Sequence, residues 1–412
     1  MQGVGCERPR AEVQGDHRPT NSASFLFEST HSISMSTQAS TPISAAEPGS
    51  ELPLGQSLYL DLVRHLMALE VMIGHATFHG YTGRGFLWQL DPFRHLQTAV
   101  VGFFVLSGFV IAFAVSTRET GPRSYTVARI SRMHSVIVPA LLLTWAADTL
   151  GQAINPGFYK TWDFPTPIPD EQPLRYLLSF FYVNNTGWLP GMNPGSNGPF
   201  WTMTYEVFYY AMFGVAVFAR GVARIAGLAL LGLAGGLGIL LYLPIWLLGA
   251  AAYHRQCGRR LRLRTAAATF WLSLLGTGAL STLGPTIKPL FPGAAMLLYY
   301  ALGVLVALNL WSAATVAPSL TRVLQPAQGL IRWLGMLTFA LYLGHRPLLN
   351  LFAVVPVAAP GAWLQTLWVL GGTFVVCIGL AYAGESFRPV IKRGLTSYFA
   401  IFGRQISPKE RR

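Results

Sequence analysis

The sequence predicts an all-α fold: a polytopic membrane helix bundle of about ten transmembrane helices with both termini in the cytoplasm. Three observations predict it. The chain is 52% hydrophobic and only 11% charged, where soluble domains carry roughly 25% charge. Its apolar residues gather in segments of about 20, the length that crosses a bilayer as a helix. Its lysines and arginines lie between those segments with a one-sided bias, the pattern that sets membrane orientation.

In chain order, residues 1–52 are rich in Ser, Thr, Ala, Pro and Gly and have no apolar signal-peptide core. They read as a disordered tail. Met35 opens the segment MSTQASTPIS and is a candidate true start. The membrane region, 53–393, holds ten apolar segments: 58–79, 97–116, 134–153, 200–219, 222–240, 241–253, 267–284, 294–312, 333–353 and 363–384. The boundary between the fifth and sixth is placed at Leu243–Pro244. Segment 174–189 is aromatic and reads as an interfacial helix or a short extra span. Residues 394–412 read as a basic cytoplasmic tail.

The net charge of +13 raises nucleic acid as a partner. Its distribution argues for topology and against nucleic acid. With ten spans and a cytoplasmic N-terminus, the inside segments after the first span hold 20 lysines and arginines and the outside segments 5. An odd number of spans would destroy the alternation. The three cysteines, Cys6, Cys257 and Cys377, have no metal-type spacing, so neither a zinc site nor a disulfide framework is expected. The longest outside segment, 154–199, carries Trp162, Phe164 and Trp188, which suit a flat amphipathic acceptor or anchoring at the interface. No internal repeat supports an inverted-repeat transporter.

Four constellations could carry chemistry. In the first span, Arg64 and His75 are eleven positions apart, which is about three helical turns. They share a face with an offset of about 20° and lie ~16 Å apart along the axis. Ionisable groups in a bilayer cost at least ~2.5 kcal/mol each by insertion scales and usually face the protein interior. Asp61 can pair with Arg64 at i, i+3, while Glu70 lies off this face with no evident partner. Snorkelling of Arg64 and helix-end bonding of His75 account for each residue singly but not for the shared face.

The second constellation is Arg129-Ile-Ser-Arg132, two guanidinium forks on one face. It suits phosphate, though a positive-inside flank has the same look. The third is Trp201-Thr-Met-Thr-Tyr205-Glu206-Val-Phe-Tyr209-Tyr210. There a carboxylate beside phenols could orient an imidazole or bind a hydroxyl-rich acceptor, or the segment could be an aromatic belt. The fourth is Tyr342-Leu-Gly-His345-Arg346-Pro347. Pro347 frees a backbone carbonyl, and His345 could either cap that carbonyl or line a cavity.

Taken together, these residues resemble the acyltransferase-3 family of integral membrane acyltransferases, over about 57–393. The opening motif is similar to Leu60-Asp61-Leu-Val-Arg64…Gly74-His75-Ala. Phe103-Phe104-Val-Leu-Ser107-Gly108-Phe109 resembles the second, and Arg129-x-x-Arg132 the paired arginines. Trp201…Glu206…Phe208-Tyr209, Leu334-Gly335…Tyr342-Leu-Gly-His345-Arg-Pro347 and Glu385-Ser-Phe-Arg388-Pro complete six motifs in order. Thr202 stands where serine is usual, Arg346 where an apolar or aromatic residue is common, and Glu70 is extra. These departures bear on the acceptor. No appended esterase-like domain is expected.

The resemblance implies transfer of an acyl group, often acetyl, from cytoplasmic acyl-CoA to a hydroxyl of a carbohydrate. The acceptor could be a surface polysaccharide or a lipid-linked glycan. The alternative is a transporter or flippase of a lipid-linked sugar. His75 is the expected general base or transient acyl carrier. Arg64 steadies a phosphate or the thioester, and Glu206 orients His75 or the acceptor. Arg129 and Arg132 hold coenzyme A, and Tyr205, Tyr209 and His345 meet the acceptor. The expected setting is the inner (plasma) membrane, multi-pass, with no metal.

Overall fold

A computed structural model describes residues 51–77, 79–82, 96–119, 121–160 and 171–405. The expected tail 1–50 and Arg84, Arg94, Trp162 and Phe164 lie outside the described residues. Among the described residues the fold is all-helical with no strand. The helices are α1 Leu54–Ala76, α2 His79–Thr82, α3 Leu96–Thr117, α4 Pro122–Ile154, α5 Gln172–Phe180, α6 Trp201–Phe218, α7 Gly221–Gly235, α8 Leu237–Gly258, α9 Leu263–Ile287, α10 Ala294–Leu324, α11 Gln328–Ala353 and α12 Trp363–Gln405.

Among the described residues, six helical stretches are long and apolar enough to cross a membrane: α3, α4, α8, α9, the joined stretch Ala294–Ala353, and Trp363–Ile401 of α12. The other expected spans fall short for local reasons. Helix α1 carries Asp61, Arg64 and Glu70. Helix α6 opens on polar and aromatic residues, and α7 has only 15 residues. A single 3₁₀ turn, Gln325–Ala327, joins α10 to α11, so two expected spans form one stretch.

The break between the fifth and sixth expected spans is at Gly236, not at Leu243–Pro244. Gly236 adopts φ +80°, a conformation that side chains other than glycine's disfavour. A Cβ there would meet the Gly187 backbone at 2.7 Å. Gly187 N donates to the Gly235 carbonyl at 2.8 Å and ties the preceding loop to this corner. Pro244 sits inside α8. Segment 174–189 yields only the nine-residue α5, too short to cross. Helix α12 continues through the expected tail boundary at 394 as far as Gln405.

Helix α11 is central. It packs against α1, α4 and α12, while α3 packs against α8 and α9 against α10. Most of its residues from Leu337 to Asn350 are buried, including His345 and Arg346. Pro347 removes the backbone donor that would reach the Leu343 carbonyl. Asn197 Nδ2 fills that vacancy at 2.8 Å. The same nitrogen lies 3.1 Å from Thr144 Oγ1 of α4. One buried amide therefore ties the α6 entry, α4 and the proline site of α11 together.

Candidate active site

Helices α1, α3, α4, α6, α11 and α12 surround a cavity of about 410 Å³. Five arginines line it: Arg64, Arg129, Arg132, Arg332 and Arg388. Four are engaged by acids. Arg64 Nη2 donates to Asp61 Oδ1 at 2.8 Å and to the Gly335 carbonyl at 2.9 Å. Arg332 pairs with the other oxygen of Asp61 and reaches Ser57 Oγ at 2.9 Å. Arg129 pairs with Glu119, and Arg388 Nη1 lies 3.8 Å from Glu385 Oε2. One carboxylate thus fixes two arginines from helices far apart in sequence.

The fifth differs. Arg132 is exposed and lines the cavity, and its guanidinium has no hydrogen-bond or ion-pair partner among the described residues. The Nε atoms of Arg64 and Arg129 are buried without an acceptor. Buried donors of this kind cost free energy until an acceptor meets them. A guanidinium cluster with unspent donors fits the oxygens of a phosphate.

Glu206 enters the cavity from α6. Its Oε1 accepts from Ser107 Oγ at 2.9 Å and from the Tyr210 hydroxyl. Trp246 Nε1 donates to Ser107 Oγ at 3.1 Å, which sets the direction of the serine proton. The expected contact of Glu206 with His75 is not what forms: Glu206 belongs to the arginine cavity, because its place on α6 turns it towards α3 and α4.

His75 lies at the other end of α1, as its three-turn separation from Arg64 requires, and does not line the cavity. Its Nδ1 is 2.9 Å from the Val71 carbonyl and 3.2 Å from His345 Nε2. The two ring centroids are 5.1 Å apart. His345 Nδ1 is 3.1 Å from the Leu341 carbonyl. A carbonyl can only accept, so His345 carries its proton on Nδ1 and its Nε2 holds a lone pair. The Nδ1–H of His75 is shared between the Val71 carbonyl and that lone pair, and the hydrogen bonds thereby assign Nε2 of His75 as the basic nitrogen. His345 does not cap the carbonyl freed by Pro347, since Asn197 does.

Beside the pair, the Arg346 guanidinium stacks over the Tyr81 ring at 5.4 Å. The Tyr81 hydroxyl donates to Asn350 Oδ1. Burial pushes the Tyr81 phenol up to about 12, against the opposing pull of Arg346, so it stays protonated.

Tyr205 and Tyr209 fall outside both places. They join Phe104, Trp201 and Tyr242 in an aromatic cluster, with Phe104 5.6 Å from Tyr209 and Trp201 4.9 Å from Tyr205. Tyr209 is fully buried and donates to the Ile239 carbonyl at 3.0 Å, so its hydroxyl is spent on α8. Tyr205 is half-buried. Of the flanking residues, Arg123 reaches the Thr396 carbonyl at 2.9 Å and His134 the Tyr182 hydroxyl at 3.0 Å.

Sequence reasoning missed Arg332 as a cavity residue and Arg388 as its rim. The i, i+3 spacing of Glu385 and Arg388 was a usable signal; the sharing of Asp61 with Arg332 was not, because 271 positions separate them. No curated protein and no solved structure matches the chain. A family model described as an acyltransferase domain matches residues 57–382, from the first turn of α1 into α12, and so takes in the histidine pair and every cavity arginine but Arg388. The chain therefore belongs to the acyltransferase-3 family and is a multi-pass membrane acyltransferase.

Proposed function

We propose that the protein moves an acyl group, acetyl in the first instance, from cytoplasmic acyl-CoA to a hydroxyl of a carbohydrate acceptor such as a surface polysaccharide. The observation that carries this reading is the division of one helix pair, α1 and α11, into an arginine end and a histidine end. The topology proposed with it has ten crossings and both termini in the cytoplasm. It puts the arginine end on the side where acyl-CoA is available. The membrane proposed is the inner (plasma) membrane.

Arg129 and Arg132 bind the phosphates of the donor, with Arg64 steadying a phosphate or the thioester deeper in. The unspent donors of all three support these roles. Glu206, held by Ser107 and Tyr210, offers an acceptor to the polar arm of the donor and acts there rather than on His75.

His75 Nε2 removes the proton of the acceptor hydroxyl as the oxygen attacks the thioester carbonyl. The C–S bond breaks, and His75 returns the proton to the departing thiolate. The Val71 carbonyl and His345 Nε2 together receive the Nδ1–H of His75 and so hold the imidazole in the reactive tautomer. His345 acts as a positioning residue. The same lone pair would serve if His75 carried the acyl group transiently. Tyr205, with its partly open ring, is proposed as a stacking surface for the acceptor; Tyr209 supports it from behind.

The donor is tested by titrating purified protein in lipid nanodiscs with acetyl-CoA. The acceptor is tested by mass analysis of surface glycans with and without the gene. Acetyl-bearing sugars that persist unchanged without the gene would remove the polysaccharide acceptor from this reading.

A further inference from the structure

One side chain, Tyr342, touches both the cavity and the histidine pair. Tyr342 lines the cavity, and its far edge meets the His345 ring at a centroid distance of 6.1 Å. Phe103 packs across it at 5.2 Å. The Tyr342 and Thr202 hydroxyls are 3.1 Å apart, and Thr202 Oγ1 also donates to the Pro199 carbonyl at 3.0 Å. Tyr342 is buried.

We propose that Tyr342, latched by Thr202, is a positioning residue that keeps the donor thioester away from His75 and from water until the acceptor is in place. The proposal rests on the acyl-CoA reading above. Attack on the thioester needs the carbonyl carbon within reach of a nucleophile activated by His75, so the ring must turn aside during the cycle. A ring whose hydroxyl is held by Thr202 and whose one side borders a cavity can do so by rotation about Cα–Cβ, without moving a helix. Excluding water protects a reactive acyl donor from hydrolysis, and such closing elements commonly set turnover. Without the latch, water takes the place of the acceptor. His75 Nε2 accepts its proton, the C–O bond forms as the C–S bond breaks, and the products are acetate and the free thiol of coenzyme A.

The test measures thiol release from acetyl-CoA by the full-length protein in nanodiscs, with no acceptor present, alongside acetyl-CoA affinity. Tyr342→Ala removes the ring. Thr202→Val removes the latch at constant shape and guards against misfolding of the larger change. Both are expected to raise thiol release about tenfold, equivalent to ~1.4 kcal/mol on the barrier, with affinity unchanged. Thr202→Ser keeps the hydroxyl and is expected to hold release near the native rate. Adding His75→Ala to Tyr342→Ala is expected to abolish the gain. Native-level release in both Tyr342→Ala and Thr202→Val, at unchanged affinity, overturns the partition and leaves the donor reading standing. Raised release that survives His75→Ala overturns it also, because the thioester is then hydrolysed elsewhere. Failure of the native protein to bind acetyl-CoA removes the donor reading and the partition with it.

Discussion

His345 Nε2 lies 3.2 Å from His75 Nδ1, and the carbonyl of Leu341 dictates which of the two rings gives the proton. A residue on α11 thus joins the Val71 carbonyl in holding the ring of a residue 270 positions away on α1. The contact makes His345 part of the reactive centre without exposing it, since it is fully buried.

Replacing His345 by alanine should therefore act on rate and not on donor binding. Loss of a correctly held base lowers turnover by about 10²-fold or more. Turnover and acetyl-CoA affinity, measured on the same preparation, should separate cleanly. A matching loss of affinity would mean that the substitution disturbs the bundle rather than the tautomer.

Arg132→Ala should do the opposite. Its guanidinium lines the cavity unpaired, and a hydrogen bond to a charged partner is worth about 1.5–3 kcal/mol. Acetyl-CoA should bind roughly 10- to 100-fold more weakly by titration. Arg332→Ala should matter less, at about 1 kcal/mol or below, because its side chain is 41% exposed and already paired with Asp61.

Asp61→Ala should destabilise the fold. It strips Arg64 and Arg332 of a shared carboxylate whose own side chain is only 16% exposed. Leaving partly buried guanidinium donors unmet costs about 1–3 kcal/mol. A lowered unfolding midpoint in detergent is the expected result, together with weaker acetyl-CoA binding as Arg64 loses its anchor.

Gly236→Ala should loosen the α7–α8 corner. The positive φ and the approach of Gly187 both oppose a Cβ, and the conformational penalty alone is about 1 kcal/mol. Faster proteolysis or hydrogen exchange in residues 183–190 would report it.

The fold was legible where one helix carries the signal. Eleven-residue spacing placed Arg64 and His75 on one face, and both do reach α11. The i, i+3 pair Arg129 and Arg132 does line a cavity. Legibility ended where partners come from different helices. The Asp61–Arg332 pair and the Asn197 bond to the Leu343 carbonyl depend on packing that periodicity does not encode. Glu206 was expected to orient His75 or the acceptor; its place on α6 gives it Ser107 and Tyr210 as partners instead of His75. The corner at Gly236 was masked by Pro244, a stronger sequence breaker that a helix tolerates here.

The central claim is that donor is held at the arginine end and reacts at His75. It is tested most directly by incubating membranes that contain native or His75→Ala protein with acetyl-labelled coenzyme A. The account predicts label in membrane-bound glycan with native protein. With His75→Ala it predicts retained acetyl-CoA binding and a loss of label of about 10²-fold or more. Equal labelling by both proteins would contradict it.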